Sequence, residues 1–228
     1  MGILISYLGD LRVPFFYSQK FIPMAIPTTN AATELPAVNQ ILATVGQAPV
    51  TTLDQTNPDV AIAYDTLTQV SREVQAEGWT FNREYNYEFT PDTNKEILIP
   101  NNILQIDLAH SEAANKEYDV VRREGKLYDR IEHKATWDKV MECDVTWFFD
   151  WVDLPRPIQD YITTRSACLV VSRVIGDQQL YNICKQNELE SRAKALEYEC
   201  NQGKFTYFGY PKGGDKYTSY QPYKALQR

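Results

Sequence analysis

The stretch NAATELPAVNQILATVGQAPVTTL, residues 30–53, carries the signals of a complete amphipathic helix. Its apolar residues recur at the i, i+3, i+7 spacing that places side chains on one face of a helix: Leu35, Val38, Ile41, Leu42 and Val45. We expect Pro36 in the first turn, where its missing N–H is tolerated, and Gly46 as the stop. Nothing in the stretch suggests chemistry, so its predicted role is packing.

A second helix follows at NPDVAIAYDTLTQVSREVQAEGW, residues 57–79. Asn57 is a favourable N-cap, Pro58 suits the first helical position, and Gly78 is a helix terminator. The predicted buried face consists of Ala63, Leu67, Val70 and Val74. Because these two helices alone offer too little apolar surface, we expect them to form one bundle with the helices at the other end of the chain.

Between Trp79 and Trp151 the apolar period changes from 3.6 to 2, which indicates strands. EILIPNNILQIDLA contains two short β-rich runs, and YDVVRREGKLYDR predicts a hairpin that turns at Glu124–Gly125. DVTWFFDW also alternates, which predicts one face shared by Val145, Trp147, Phe149 and Trp151.

Helices return after Pro155. RPIQDYITTRSACLVVSRVIGD is apolar around most of its circumference, so it should be the most buried helix and should end at Gly176. Its predicted core residues are Ile158, Ile162, Leu169 and Val174. Asp177 then caps a final helix that runs to Gln202, with Gly203 as terminator.

These elements predict an α+β fold, in which an antiparallel helical bundle carries an inserted small β-region and extended N- and C-terminal arms. The predicted divisions are an N-terminal arm (1–29), the first part of the bundle (30–80), a β-rich region (81–153), the second part of the bundle (154–203) and a C-terminal arm (204–228).

Charge and hydropathy limit the possible functions. Thirty acidic against 23 basic residues give a net charge of −7, which argues against nucleic-acid binding through bulk charge. No apolar run is long enough to span a membrane, and the N-terminus lacks the pattern of a signal peptide. The four cysteines contain no C-x-x-C pair, so we expect free, structural thiols in a reducing cytoplasm.

Catalytic and metal motifs are weak. HSE, from His110 to Glu112, matches part of a zinc-deaminase site but lacks the accompanying P-C-x-x-C. DTNKE, from Asp92 to Glu96, has alternating oxygen ligands, yet Ile97 stands where a calcium loop needs glycine, so a solvated turn is expected. We therefore predict no catalytic residue, no metal site and no cofactor.

An enzymatic alternative stays open on the aromatic run Trp147, Phe148, Phe149 and Trp151, which could line a sugar site. Thirty acidic residues also always permit some carboxylate pairing. The alternative function is a hydrolase of capsular or cell-wall polysaccharide. A third possibility is an assembly factor that leaves before maturation.

Two helical stretches and three later motifs resemble a known family. AATELPAVNQILATVGQAPVTTL followed by DVAIAYDTLTQVSREVQAEGWTFN resembles the tail tubular protein A family of short-tailed bacteriophages, and the likeness continues through ILIPNNILQID, REGKLYDR and LPRPIQDYITTRSACLVVSRVIGD. It covers residues 30 to 203. It implies a structural virion protein, made in the host cytoplasm, that acts as a tail adaptor or gatekeeper.

The resemblance also implies the partners. Twelve copies of an adaptor of this family form a ring under the portal protein, carry the tail nozzle (tail tubular protein B) and offer the tail fibres a place to attach. Genomic DNA passes through the lumen without specific binding, and no membrane is involved. The aromatic residues of the C-terminal arm are the expected portal contacts: Tyr207, Phe208, Tyr210, Tyr217, Tyr220 and Tyr223.

The N-terminus departs from the family pattern. Many members begin with a segment similar to MAIPTTNAATEL, which starts here at Met24. Residues 1–23 are therefore either an additional arm that docks on a neighbouring copy or the product of an upstream start codon.

Overall fold

A computed structural model of the protein describes residues 31–109 and 118–203. Helix α1 spans Ala31–Thr44. Gly46, at φ 77°, ends it as predicted, while the N–H groups of Val45 and Gln47 donate to the carbonyl of Leu42 at 3.1 and 3.0 Å. The expectation for Pro36 is wrong: it is the sixth residue of α1 and lies in the second turn. The preceding segment contains alanines, the strongest helix formers, and the helix extends upstream through them.

Helix α2 spans Pro58–Ala76 and confirms the predicted caps. The side chain of Asn57 accepts a hydrogen bond from the N–H of Asp59 at 3.0 Å, and Gly78 ends the helix region at φ 76°. The four residues predicted for its inner face, Ala63, Leu67, Val70 and Val74, are all buried.

Helices α3 (Arg156–Val174) and α4 (Gln178–Gly203) are joined at Gly176, which has a φ of 70°. The carboxylate of Asp177 accepts from the N–H of Gln179 at 2.8 Å, as expected for the cap of α4. Ile158 and Ile162 are fully buried, as predicted.

Two further core predictions for α3 need correction. Leu169 is only partly buried, although it packs against the core, and Val174 is 47% exposed. Val174 is the last residue of its helix, and the chain turns away at Gly176, so the apolar run continues beyond the part of the helix that its neighbours cover.

The helices share one apolar cluster with Trp79, Trp151 and Leu154. Helices α1, α2 and α3 each contribute several buried side chains to it, whereas α4 contributes Ala195 alone. Helix α4 adds Cys184 to a smaller cluster with Cys168 and Val171 of α3. Helix α4 therefore contributes the fewest buried side chains to these clusters.

The middle of the chain forms two small antiparallel sheets. Strands β1 (Arg83–Phe89), β5 (Met141–Trp147) and β2 (Ile103–Leu108) form the first in the order β1-β5-β2. Strands β3 (Val120–Arg123) and β4 (Lys126–Asp129) form the second, a hairpin. Its turn at Glu124 and Gly125, with φ values of 52° and 75°, confirms the prediction. These strands build a second apolar cluster around Leu127, Met141 and Val145.

The predicted common face of Val145, Trp147, Phe149 and Trp151 is wrong beyond the strand. β5 ends at Trp147, and this residue packs with Val145 against the sheet cluster, whereas Phe149 and Trp151 pack against the helical cluster. The reason is the buried side chain of Gln75 on α2, whose Oε1 accepts from the N–H of Phe149 at 2.8 Å and whose Nε2 donates to the Phe149 carbonyl at 3.1 Å. These two hydrogen bonds hold the backbone of Phe149 against α2, so the chain leaves the sheet after Trp147 and continues along the helices.

A second buried amide completes the junction between helices and sheet. The Nδ2 of Asn82 donates to the carbonyls of Gln75 and Trp147, each at 2.8 Å, and its Oδ1 accepts from the N–H of Trp79 at 2.8 Å. Buried polar groups are costly unless hydrogen-bonded, so these satisfied amides fix how α2 meets β5. The described residues thus form a mixed helix and sheet structure, which confirms the α+β class.

Candidate assembly surfaces

The described residues do not gather the side chains of a conventional active site. His133 is exposed in a turn, at φ 56°, while His110 and Glu112 lie outside the described residues. Within residues 31–109 and 118–203, no group of three or more His, Cys, Asp or Glu side chains is arranged to hold a metal ion.

The predicted solvated turn at Asp92 is present. The Oδ1 of Asp92 accepts from the N–H groups of Asn94 and Glu96 at 2.8 and 2.9 Å. The carboxylate of Glu96 pairs with Lys126 at 2.7 Å. These oxygens are used by the turn and by an ion pair, which explains the spacing without a bound cation.

All four cysteines are free, as expected. Cys143, Cys168 and Cys184 are buried, whereas Cys200 is exposed. Burial raises the pKa of the Cys168 thiol to about 11, and the carboxylate of Glu188 adds to the shift. This thiol stays protonated near neutral pH and behaves as a core side chain rather than a nucleophile.

The aromatic residues that could have lined a sugar site do not pack together. Trp147 packs against the sheet cluster, whereas Phe149 and Trp151 pack against the helical cluster. The ring of Trp147 meets the edge of Tyr87 at 5.4 Å between centroids, and its Nε1 donates to Glu84 at 3.0 Å. Phe149 packs on Phe81 at 6.3 Å, and Trp151 is 8% exposed. The rings therefore do not form one platform on which a sugar could stack.

One carboxylate pair does have perturbed acidity. Burial raises the pKa of Glu34, the negative charge of Asp150 raises it further, and a hydrogen bond with Tyr64 opposes both effects. Burial also raises the pKa of Asp150, with a contribution from Asp153. Because Glu34 is only 4% exposed, a polysaccharide cannot reach it, and the pair gives the hydrolase alternative no support.

The strongest polar cluster instead fastens α4 to the other helices. The Nη1 atoms of Arg192 and Arg165 donate to the hydroxyl of Tyr161 at 2.5 and 3.1 Å. Both guanidinium groups also lie 3.5 Å from the carboxylate of Glu77, and Arg165 lies 3.2 Å from Glu73. Side chains from α2, α3 and α4 therefore meet around one buried tyrosine.

A separate contact fixes the C-terminal end of α4. The carboxylate of Glu199 accepts from the N–H of Thr80 at 2.9 and 3.0 Å and from its hydroxyl at 2.5 Å. Thr80 precedes β1 by only three residues. The partners are 119 positions apart in sequence, so no local pattern could have revealed this contact.

Large apolar side chains are exposed at several places in the described residues, and pairs of them share a face of α4 and the strand β1. On α4, Leu189 and Leu196 are 56% and 45% exposed, and their seven-residue spacing places them on one face about two turns apart. On β1, Tyr85 and Tyr87 are 38% and 39% exposed. Exposed apolar groups of this kind are candidate contact sites for other proteins.

The six expected portal contacts, Tyr207, Phe208, Tyr210, Tyr217, Tyr220 and Tyr223, all lie outside the described residues. The structure therefore does not test them. The sequence reasoning missed the apolar face of α4 and the exposed strand β1. The seven-residue spacing of Leu189 and Leu196 is the signal that could have indicated the first of these.

Comparison with known proteins identifies the family of this chain. A family model described as tail tubular protein matches residues 35–205. Tail tubular protein A of Klebsiella phage KP34 is 25% identical over 170 residues, which span 74% of this chain and 88% of that protein. Among the described helices, none is long and apolar enough to cross a membrane. The chain therefore belongs to the tail tubular protein family and is a structural protein of a bacteriophage tail.

Proposed function

We propose that this protein is the ring-forming adaptor of a short-tailed phage, which joins the portal to the tail nozzle, offers the tail fibres an attachment site and forms part of the DNA ejection channel. The observation that carries the proposal is the family match over residues 35–205, which includes all of α2 to α4, both small sheets and most of α1. The relative from Klebsiella phage KP34, named tail tubular protein A, supports the coarser part of the proposal, a role in a phage tail.

In this proposal the four described helices form an antiparallel bundle that builds the wall of the ring. Support comes from their common apolar cluster and from the tight turn at Gly176, which sends α4 back along α3. Because a closed ring repeats one head-to-tail contact, each copy needs two different surfaces and a fixed rotation between neighbours.

The apolar face of α4 is the proposed contribution of this chain to the subunit contact. Leu189 and Leu196 are exposed on the helix that the core uses least. We expect Leu189→Arg with Leu196→Arg to prevent ring formation and leave folded monomers, as measured by native mass spectrometry. Ile131→Arg, at an exposed position beside the β3–β4 hairpin, is the matched control and should assemble normally.

The portal contact is assigned to the aromatic side chains of residues 204–228. This segment contains five basic residues and one acidic residue, together with seven aromatic residues, a composition suited to an interface. Tyrosine contributes a large contact area with little conformational entropy to lose, which makes it effective in such contacts.

A portal-binding assay tests this assignment. Serine at all six predicted positions should lower portal affinity at least about tenfold, because each substitution removes buried aromatic area. Thr206→Ala, Thr218→Ala and Ser219→Ala together form the control in the same segment and should leave affinity within about twofold. Unchanged affinity of the six-serine variant would assign the portal contact to another part of the chain.

The channel role is consistent with the charge. A lumen with many lysines would hold the genome, because every neutralised phosphate releases condensed counterions. At −7 per copy, acidic residues that face inward become a strongly negative wall when repeated around a ring. We therefore propose an acidic or neutral lumen, with the 23 Lys and Arg residues biased toward subunit and partner contacts.

A further inference from the structure

A groove between helices α2 and α3 is bordered by exposed apolar side chains. This α2–α3 groove has a volume of about 340 Å³ and is lined by Ile62, Asp65, Thr66, Gln69, Arg173 and Val174. Ile62 and Val174 are 39% and 47% exposed, and the next residue, Ile175, is 43% exposed. Exposed apolar side chains grouped around a groove indicate a contact with another protein.

The walls of the α2–α3 groove are held together within one chain. The Nη1 of Arg173, on α3, donates to the Oγ1 of Thr66, on α2, at 3.2 Å. Its Nη2 donates to the Oε1 of Gln69 at 3.4 Å, and the Nε2 of Gln69 donates to Glu73 at 2.8 Å. The groove is therefore formed before any partner binds, so binding does not have to order its walls.

The apolar face of α4 in the same chain does not cover this groove. Leu189, Leu196 and Ile62 are all exposed in the described structure. Helix α4 packs chiefly on α3, and its ion pair of 3.5 Å between Arg192 and Glu77 lies just beyond the C-terminal end of α2. Ile62 is about 22 Å from Glu77 along that helix. The two apolar surfaces therefore lie apart on one chain and are available to different neighbours.

The apolar face of α4 matches the groove in spacing and length. Leu189, Ala193 and Leu196 are all exposed, and their i, i+4, i+7 spacing forms a ridge about 10 Å long. On the α2 wall of the groove, Ile62, Thr66 and Gln69 have the same spacing and therefore the same length. Helices pack by inserting the ridge of one into the groove of another, so the two surfaces are suited to each other.

The two surfaces carry opposite charges. Asp65 on the groove wall is exposed, and its carboxylate forms no ion pair within residues 31–109 and 118–203. Lys185 precedes Leu189 by one helical turn, and its side chain is 45% exposed although its Nζ lies 2.8 Å from Glu188. An ammonium group has three donors, so Lys185 can bind a second carboxylate without losing the first.

From these observations we infer that the α2–α3 groove of one copy receives the apolar face of α4 of the next copy, with Lys185 paired to Asp65. The inference rests on the proposed function, because a closed ring joins its subunits through two different surfaces. The apolar face of α4 is one of these surfaces, and the α2–α3 groove is the second. The contact buries Leu189 and Leu196 against Ile62 and Val174.

Photo-cross-linking of the assembled full chain tests the contact. Ile62→p-benzoylphenylalanine should cross-link to α4 peptides that contain Leu189 or Leu196. Val152→p-benzoylphenylalanine, at a control position 59% exposed shortly before α3, should not. When ¹⁴N- and ¹⁵N-labelled protein are mixed before assembly, mixed-isotope cross-links are expected. Cross-links of a single isotope only, or none to α4, would overturn the inference.

Charge reversal provides a second test. Asp65→Lys places two basic groups together and should weaken assembly at least about tenfold. Adding Lys185→Glu to the same chain restores opposite charges at every contact and should recover assembly. Glu88→Lys, an exposed position on β1 with the same change in net charge, is the control and should assemble normally. Failure of the double variant to recover, with the urea midpoint of the monomer unchanged, would contradict the contact.

Native mass spectrometry separates this inference from the ring proposal. Wild-type rings in which Ile62→p-benzoylphenylalanine forms no cross-link to α4 would overturn the inference and leave the ring standing. Cross-linked dimers without any larger closed assembly would support the contact between the two surfaces and contradict the ring.

Discussion

The guanidinium of Arg192 donates to the hydroxyl of Tyr161 across 2.5 Å, and its charge lies 5.5 Å from the centre of the same ring. Tyr161 has no exposed surface. Apart from Cys184, Glu188, Ala195 and Gly203, the residues of α4 are not fully buried. The hydrogen bond from Arg192 to the buried Tyr161 is therefore a main contact between α4 and the helical core.

Removing this hydroxyl should weaken the attachment of α4. Tyr161→Phe removes the hydroxyl that accepts from both Arg192 and Arg165 and should lower the free energy of unfolding by about 1–3 kcal/mol. Tyr198→Phe, on the same helix as Arg192 and half-buried, is the control and should change it by less than about 0.5 kcal/mol. If urea denaturation gave the same small change in the free energy of unfolding for both variants, the Tyr161 hydroxyl would not stabilise the fold.

The helical core predicts a sharp difference between two isoleucines. Ile162→Ala on α3 should cost about 2–5 kcal/mol, since the side chain is fully buried and its removal leaves a cavity. Ile183→Ala on α4 should change stability by less than about 1 kcal/mol, because that side chain is 56% exposed. Similar losses for both substitutions in the monomeric protein would contradict the placement of α3 at the centre.

The buried Glu34 predicts an unusual dependence of stability on pH. Its pKa is raised in the folded state, mainly by burial, so the folded protein holds the proton more tightly than the unfolded chain does. The contribution of Glu34 to stability is therefore complete below the ordinary glutamate pKa and is lost as the pH rises through the raised value. Glu34→Gln should thus gain stability relative to wild type as the pH rises above about 4.3, the ordinary pKa of glutamate.

The control for this pH series is Glu190→Gln, an exposed position on α4. Its difference from wild type should stay nearly constant over the same range. A constant difference for Glu34→Gln as well would mean that this carboxylate titrates normally in the folded protein.

The acidic chain should not hold DNA. At about 50 mM salt we expect no binding of duplex DNA tighter than about 100 μM, because few phosphates can be neutralised by a protein of charge −7. Fluorescence anisotropy with a labelled duplex measures this. Micromolar binding that weakens steeply with salt would indicate a basic DNA-contacting surface and contradict the proposed lumen.

Local signals explain why much of the fold could be predicted from sequence. Asn57, Pro58 and Gly78 act within a few residues of α2, and Glu124–Gly125 fixes its hairpin through its own backbone conformation. The strand Arg83–Phe89 is not among the predicted ones, although its sequence alternates polar and aromatic residues from Glu84 to Phe89 with the period of two that is typical of a strand.

The errors come from long-range packing. Phe149 leaves the expected strand face because Gln75, 74 positions earlier, binds its backbone. Val174 is exposed because cover for an apolar helix depends on where the neighbouring helices end, which its own sequence does not contain. The apolar face of α4 was not predicted, since the seven-residue spacing of Leu189 and Leu196 indicates a common helix face but not whether the other helices cover it.

Cryo-electron microscopy of tails from purified virions tests the adaptor proposal most directly. The account predicts a closed ring of this chain between the portal and the nozzle, with the helices in the ring wall, no continuous Lys/Arg belt around the lumen and residues 204–228 in contact with portal density. Absence of the chain from mature virions, or its presence only at the tail tip or in the fibres, would contradict the central claim.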